Sequence, residues 1–169
     1  SKNLLPELGN DIGDYTQKVF KKRKIKIYLK TALKEVSKYN AILSNGKTIE
    51  TNTLISTIGS VATKIVKKSS LPLKYGRIIT DEFLQVKGFS NVWALGDAAI
   101  VPNSSNVKDE YSPPTAQFAV RQAKNLAKNI VLKSKSRNLR KFKYTSKGSL
   151  ASLGFKVGVG KVFFFTIKG

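Results

Sequence analysis

Gly96-Asp97 and Gln117 are the residues whose type and position could do chemistry. The short apolar run Asn91-Val92-Trp93 leads into Ala94-Leu95-Gly96-Asp97-Ala98-Ala99, which places the Asp97 carboxylate just past the end of a predicted buried strand. Open α/β sheets bind ligands outside the carboxyl ends of their strands. A buried carboxylate there needs a donor to offset its desolvation, and a ribityl hydroxyl is one. An isolated Gly-Asp otherwise only caps a turn. Further on, Pro113-Pro114-Thr115-Ala116-Gln117 opens a predicted amphipathic helix. The first turn of a helix leaves N–H groups unpaired, and the macrodipole puts roughly half a positive charge there. The N–H groups of Gln117 and Phe118 at such an end suit an isoalloxazine, which gains negative charge near N1 and the C2 carbonyl on reduction. Together the two features read as part of a flavin site. The alternative is a turn cap beside an ordinary surface helix. The Gln117 side chain either hydrogen-bonds a carbonyl of an electron acceptor such as a quinone or is solvated. Arg121, one turn on, is either a second contact or surface charge.

Composition narrows the chemistry further. The 169 residues are 41% apolar and 9% aromatic, which excludes a disordered chain and leaves room for one domain or parts of two. With neither cysteine nor histidine, disulfides, redox dithiols, common zinc sites and histidine-based nucleophilic catalysis are excluded. No catalytic side chain and no metal site are therefore expected, and redox chemistry would have to come from a cofactor. The net charge is +21, which favours an anionic partner, a membrane surface or a nucleic acid. A lysine-biased solvated surface is the plain alternative. Only five of the 31 basic residues are arginine, which speaks against sequence-specific nucleic-acid readout. No apolar run approaches the roughly 20 residues that span a bilayer. The longest apolar cluster is Val162-Phe163-Phe164-Phe165, and the absence of methionine suggests a fragment.

The elements that must position these residues follow from periodicity. Residues 11–24 read as a helix, with Ile12, Tyr15, Val19 and Phe20 at helical spacing and Asn10 or Asp11 as cap. Ile25-Lys26-Ile27-Tyr28-Leu29 alternates like a strand. Strands are also expected at 32–36, 40–43 and 48–50, with a tight turn at Ser44-Asn45-Gly46-Lys47. Thr53–Ile58 reads as a more buried strand. Short strands are expected at 78–80 and 92–95, and a polar loop at 102–112. Helix 114–132 carries a stripe of Ala116, Ala119, Val120, Ala123, Leu126, Ala127, Ile130 and Val131, with Pro113 and Pro114 at its tolerant start. Residues 133–143 read as a basic linker, and 144–169 as the start of a sheet or lid.

These motifs together resemble the type II NADH:quinone oxidoreductases, flavoproteins with two dinucleotide-binding domains. The resemblance rests on Ala94-Leu95-Gly96-Asp97, on Pro113-Pro114-Thr115-Ala116-Gln117-Phe118-Ala119, and on Phe142–Gly148 with Ala151–Gly154. It implies an α/β fold: part of an FAD/NAD(P)-binding two-domain flavoprotein, Rossmann-like halves with a β-meander, whose N-terminal portion is missing. Residues 1–58 would close the NADH-binding domain, 59–132 the FAD-binding domain, and 133–169 would begin a membrane-proximal region. It implies FAD contacts from Gly96, Asp97, Ala98, Ala116, Gln117 and Phe118, and a quinone beside Gln117, Val120 and Arg121. Where that family commonly continues with Gln-Gln or Gln-Glu, this chain has Arg121-Gln122. NADH or NADPH would reduce FAD, and FAD a quinone, in an enzyme lying peripherally on the cytoplasmic side of an anionic membrane surface. No Gly-x-Gly-x-x-Gly loop occurs, so the isolated 169 residues are expected to hold FAD weakly and to leave NADH unoxidised. Sulfide:quinone oxidoreductases share this architecture, but their chemistry uses cysteines. A basic nucleic-acid-binding module is allowed by the lysines and aromatics of 141–165, yet it explains neither Gly96-Asp97 nor the Pro-Pro helix start.

Overall fold

The computed structural model describes residues 1–57, 59, 63–103 and 111–169, and divides the chain into two compact units. The first comprises Ser1–Ile58 and Lys147–Gly169, the second Gly59–Ser146.

In the first unit, helix α1 (Asn10–Lys22) buries Ile12 and Thr16. Ile12 joins Leu8, Leu153 and Val159 in a small core, with Tyr15, Val19 and Phe20 packed around it. Thr16 satisfies its buried hydroxyl by donating to the Ile12 carbonyl at 2.8 Å. Neither Asn10 nor Asp11 caps the helix. The N-cap is Gly9, in a positive-φ conformation that only glycine adopts readily, and Asp11 sits in the first turn. There it faces the positive helix end and pairs with Lys168 at 3.6 Å. Partial desolvation raises the Asp11 carboxyl, but the Ile12 N–H, Lys168 and Lys161 outweigh it and hold the group below the ordinary carboxylate value.

Strands β1 (Leu33–Val36), β2 (Asn40–Leu43) and β3 (Thr48–Glu50) form an antiparallel meander. The expected Asn-Gly turn joins the last two, with Gly46 at φ 83 and the Leu43 N–H bonded to the Lys47 carbonyl at 2.9 Å. The tail forms a second antiparallel sheet of β7 (Gly148–Ser152), β8 (Gly158–Val162) and β9 (Phe165–Lys168). Arg23 clamps the β7–β8 turn by donating to the Leu153 and Phe155 carbonyls.

Two expected strands of this unit are corrected. Residues 25–29 are irregular, because the Ile25 N–H is used on the Phe20 carbonyl and the left-handed residues Lys24 and Lys30 bracket the segment. Residues 53–57 are irregular and exposed, with Ile55 83% accessible. Among the described residues they have no strand to pair with, and an apolar run without a ladder partner has no reason to be extended. Ile58, the last residue of that expected strand, lies outside the described residues.

In the second unit, helix α2 (Lys64–Lys68) precedes a sheet of β4 (Leu73–Lys74), β5 (Arg77–Ile79) and β6 (Ala99–Ile100), with β5 and β6 parallel. Its core gathers Ile78, Leu84, Val86, Ala99, Val101, Phe118 and Phe142. Residues 92–95 are extended but do not form the expected strand. They pair with 84–86 only through a single bridge, Gln85 with Trp93, and the bonds Val86 N–H to Val92 and Ala94 N–H to Leu84. Of the expected loop 102–112, residues 104–110 lie outside the described residues.

Helix α3 runs Ala116–Ser134, starting after Pro113 and Pro114 rather than at them, with Thr115 as N-cap. Its inward face is also not the expected alanine stripe. Phe118, Gln122 and Asn129 are buried with Leu126 packed beside them, while Val120, Ile130 and Val131 are exposed. The reason is polar satisfaction. Asn129 donates to the Phe83 and Arg140 carbonyls and accepts the Arg140 N–H at 2.8 Å. A fully bonded buried amide fixes the helix more firmly than alanines do. The expected linker 133–143 is likewise no free tether. It begins inside α3, and its later part is anchored by buried Phe142, whose N–H bonds the Glu82 carbonyl at 2.7 Å, and by the Lys141–Glu82 ion pair at 2.8 Å.

Candidate functional site

The residues singled out by type lie within the second unit. Gly96-Asp97-Ala98 forms one turn of 3-10 helix that leads into β6. The carboxylate therefore heads a strand instead of ending one, which corrects the expected placement. Gly96 holds φ 66, a left-handed conformation, and a Cβ built on it would stand 3.4 Å from the Ala119 Cβ. Glycine thus lets the turn both reverse and lie close on α3. Asp97 is exposed. It accepts no hydrogen bond and pairs with no cation among the described residues.

The turn is tied to the helix by Gln122, whose Oε1 accepts the Gly96 N–H at 2.8 Å. Gln122 is 2% exposed, so this bond sits where an unpaired amide is costly. Gln122 lies one turn beyond buried Phe118, and that spacing was the only sequence signal for it. Replacing Gln122 by leucine strands the Gly96 N–H and is expected to destabilise this unit by about 1–3 kcal/mol, read as a lower urea midpoint. A midpoint unchanged from wild type would show that the turn does not depend on this bond.

At the start of α3, Ala116 and Gln117 are exposed, whereas the Phe118 side chain is buried in the core. Any contact of Phe118 with a ligand would therefore be through its backbone. Thr115 makes no side-chain cap, so the positive end of the helix is not closed by its own N-cap residue. The Tyr144 hydroxyl donates to Gln117 Oε1 at 2.9 Å and so orients the Gln117 amide. Arg121 stacks its guanidinium over the Tyr144 ring at 4.1 Å and donates to the Gln117 carbonyl at 2.9 Å. Phe118 meets the same ring edge-on at 4.9 Å. Tyr144 is held in turn by Asn103, which bonds both its backbone groups. Sequence reasoning missed Tyr144 as the hub of this cluster, because nothing in its spacing brings position 144 to position 117. Val120 lies exposed on the next face.

The site thus presents one carboxylate, one oriented amide, one cation and a helix N-terminus, without a histidine or thiol that could serve as base or nucleophile. Among the described residues, no group of His, Cys, Asp or Glu could hold a metal ion. This arrangement suits binding and electrostatic steering of a polar ring system rather than acid–base chemistry.

Comparison with known proteins agrees with this architecture. The sequence profile of the pyridine nucleotide-disulphide oxidoreductases matches residues 1–123. A probable NADH dehydrogenase from Dictyostelium discoideum is 34% identical over 176 residues, covering 98% of this chain and 38% of that protein. A type II NADH:quinone oxidoreductase from Staphylococcus saprophyticus is 31% identical over 122 residues, covering 72% of this chain and 30% of that protein. Among solved structures, NDH2 from Plasmodium falciparum in complex with NADH superposes with a TM-score of 0.87 at 20% identity, covering 100% of this chain and 50% of that one. The reduced Bacillus anthracis CoADR-RHD superposes with a TM-score of 0.76 at 22% identity, covering 95% of this chain and 28% of that one. These likenesses bear out the expected fold class, the mixed α/β architecture of FAD/NAD(P)-binding oxidoreductases represented in part. The chain spans well under half the length of the curated relatives it matches.

Proposed function

Because the chain belongs to the pyridine nucleotide-disulphide oxidoreductase family, we propose that it is part of an enzyme passing electrons from NAD(P)H through FAD to a quinone. In this reading residues 1–58 complete an NADH-binding domain, 59–132 complete an FAD-binding domain, and 133–169 begin a region facing an anionic membrane on its cytoplasmic side.

The observation that carries the reading is the bond between Gly96 and Gln122, which seats the Asp97 turn on the first two turns of α3. A carboxylate and the positive end of a helix are thereby held on one scaffold. The residues present fit FAD on two counts. The Asp97 carboxylate is exposed beside the left-handed Gly96 turn, and Thr115, the N-cap of α3, makes no side-chain cap of its own. Asp97 would accept from ribityl hydroxyls, with the backbone of Gly96 and Ala98 lining the approach. Ala116, Gln117 and Phe118 would offer the helix end to the ring. Bound there, FAD would supply the two-electron chemistry linking the nicotinamide to the quinone. Gln117, oriented by Tyr144, would hydrogen-bond a quinone carbonyl, with Val120 as apolar contact and Arg121 as the adjacent cation.

The test is quinone-dependent NADH and NADPH oxidation by the FAD-loaded enzyme of which these residues are part, with a short-chain ubiquinone as acceptor. Nicotinamide oxidation that proceeds with ferricyanide but not with quinone would overturn the acceptor assignment. An enzyme carrying these residues that takes up no FAD would overturn the flavin assignment itself.

A further inference from the structure

The Tyr144 side chain serves two neighbours at once. Its hydroxyl donates to Gln117 Oε1 at 2.9 Å, and the Arg121 guanidinium lies 4.1 Å from the centre of its ring. Arg121 is itself fixed there, because its Nη1 donates to the Gln117 carbonyl at 2.9 Å. The ring has little freedom to follow or escape these groups. Phe118 meets it edge-on at 4.9 Å. Asn103, which follows β6 and is buried, holds residue 144 by the backbone: its Nδ2 donates to the Tyr144 carbonyl at 2.8 Å, and its Oδ1 accepts the Tyr144 N–H at 3.2 Å. A buried amide bonded at both ends resists displacement.

A side-chain amide has two ways to meet a phenol. It accepts through its oxygen or donates through its nitrogen, because a hydroxyl can do either. The end turned to the tyrosine decides which end is turned away. Here the cation breaks the tie. A guanidinium over an aromatic face draws on the negative π density of the ring. The phenolic oxygen is conjugated with that ring, so it becomes a poorer acceptor and its O–H a better donor. The hydroxyl is thereby biased to donate, and the bond to Gln117 Oε1 has that sense. The reversed amide would set its N–H groups against an oxygen whose accepting power the cation has lowered. With Oε1 turned to Tyr144, the end turned from the tyrosine is Nε2, which carries two hydrogens.

We propose that Tyr144 and Arg121 together lock the polarity of the Gln117 amide, so that its donor end is the one offered to an acceptor carbonyl. The inference rests on the preceding reading that Gln117 meets a quinone carbonyl. Tyr144 is then a positioning residue: it acts through Gln117 and does not touch the acceptor. Arg121 contributes through the phenol as well as by its own charge. The distinction is one of selectivity. A quinone carbonyl can only accept a hydrogen bond, and an amide presenting Oε1 to it would oppose two acceptors.

The experiment is a mutant cycle in the FAD-loaded enzyme of which these residues are part, with short-chain ubiquinone and ferricyanide as alternative acceptors. Tyr144→Phe deletes the hydroxyl but keeps the ring and both Asn103 bonds, so bound flavin and the circular dichroism spectrum should match wild type. The KM for quinone is expected to rise about three- to tenfold, the loss of one hydrogen bond. The kcat at saturating quinone and the rate with ferricyanide should stay unchanged. Tyr144→Phe/Gln117→Ala should be no worse than Gln117→Ala alone, because the hydroxyl acts only through the amide. Arg121→Gln should raise the KM more in the wild-type background than in Tyr144→Phe. An unchanged KM in Tyr144→Phe, where Gln117→Ala raises it, overturns the proposal and leaves the acceptor assignment standing. Additive losses in the Tyr144–Gln117 pair, or an Arg121→Gln loss of the same size in both backgrounds, also overturn it. A ferricyanide rate that falls in Tyr144→Phe overturns it in favour of a purely structural role. If Gln117→Ala itself leaves the KM unchanged, the acceptor assignment fails and the lock falls with it.

Discussion

Replacing Asp97 by alanine is expected to weaken FAD binding by the holoprotein about ten- to hundredfold while leaving its unfolding midpoint almost unchanged. The magnitude follows from losing a charge-assisted hydrogen bond, about 1.5–3 kcal/mol. The split between binding and stability is the diagnostic part. Asp97 is exposed and bonds to nothing among the described residues, so its removal costs the fold no more than a typical surface substitution, within about 0.5 kcal/mol. Asn, which keeps one acceptor but not the charge, should fall between. Flavin retention after gel filtration and fluorescence titration of FAD measure the effect. If the alanine variant holds FAD as tightly as wild type, Asp97 is not the ribityl ligand and the flavin site lies elsewhere.

Phe142→Ala should have the opposite signature. Phe142 is buried in the core of the second unit, 6.4 Å ring to ring from Phe118. Its backbone is pinned to Glu82, so the surroundings have little freedom to collapse into the space left by the ring. Truncations of this kind cost about 3–5 kcal/mol, a large fraction of the stability of a small domain. The loss should appear as a strongly lowered urea midpoint. It should also loosen the Gln117 cluster, because Phe118 packs on both Phe142 and Tyr144. Phe142→Leu, which keeps most of the volume, should recover most of the midpoint. An alanine variant as stable as wild type would mean that this ring does not hold α3 in place.

What was legible in the sequence and what was not divides along a physical line. Helix α1 and the β1–β3 meander with its Asn-Gly turn are local: periodicity and turn chemistry suffice to write them. The start of α3 near Pro113-Pro114 was legible for the same reason. The inward face of α3 was not, because it is set by Asn129 and Gln122 finding carbonyl and N–H partners far along the chain. Ile25–Leu29 and Thr53–Thr57 look like strands by composition, but a strand exists only where another edge receives its hydrogen bonds. For the candidate site, the chemically distinctive residues, Asp97 and Gln117, could be named from type and motif. Their scaffold, the Gly96–Gln122 bond and the Tyr144 hub, depends on contacts between distant positions and carries no local signature.

The Arg23 fork onto Leu153 and Phe155 joins positions 130 and more residues apart, and the second unit, Gly59–Ser146, lies wholly between them in sequence. The consequence is an order of events at the ribosome. The interposed stretch is contiguous and can condense as soon as it has emerged. The unit that encloses it in sequence stays open until the last strand leaves the exit tunnel, with Ile12 and Leu8 waiting for their cover. Closing so long a loop late costs entropy and slows the step, so nascent chains that stall before β9 has emerged carry a hazard of misassembly.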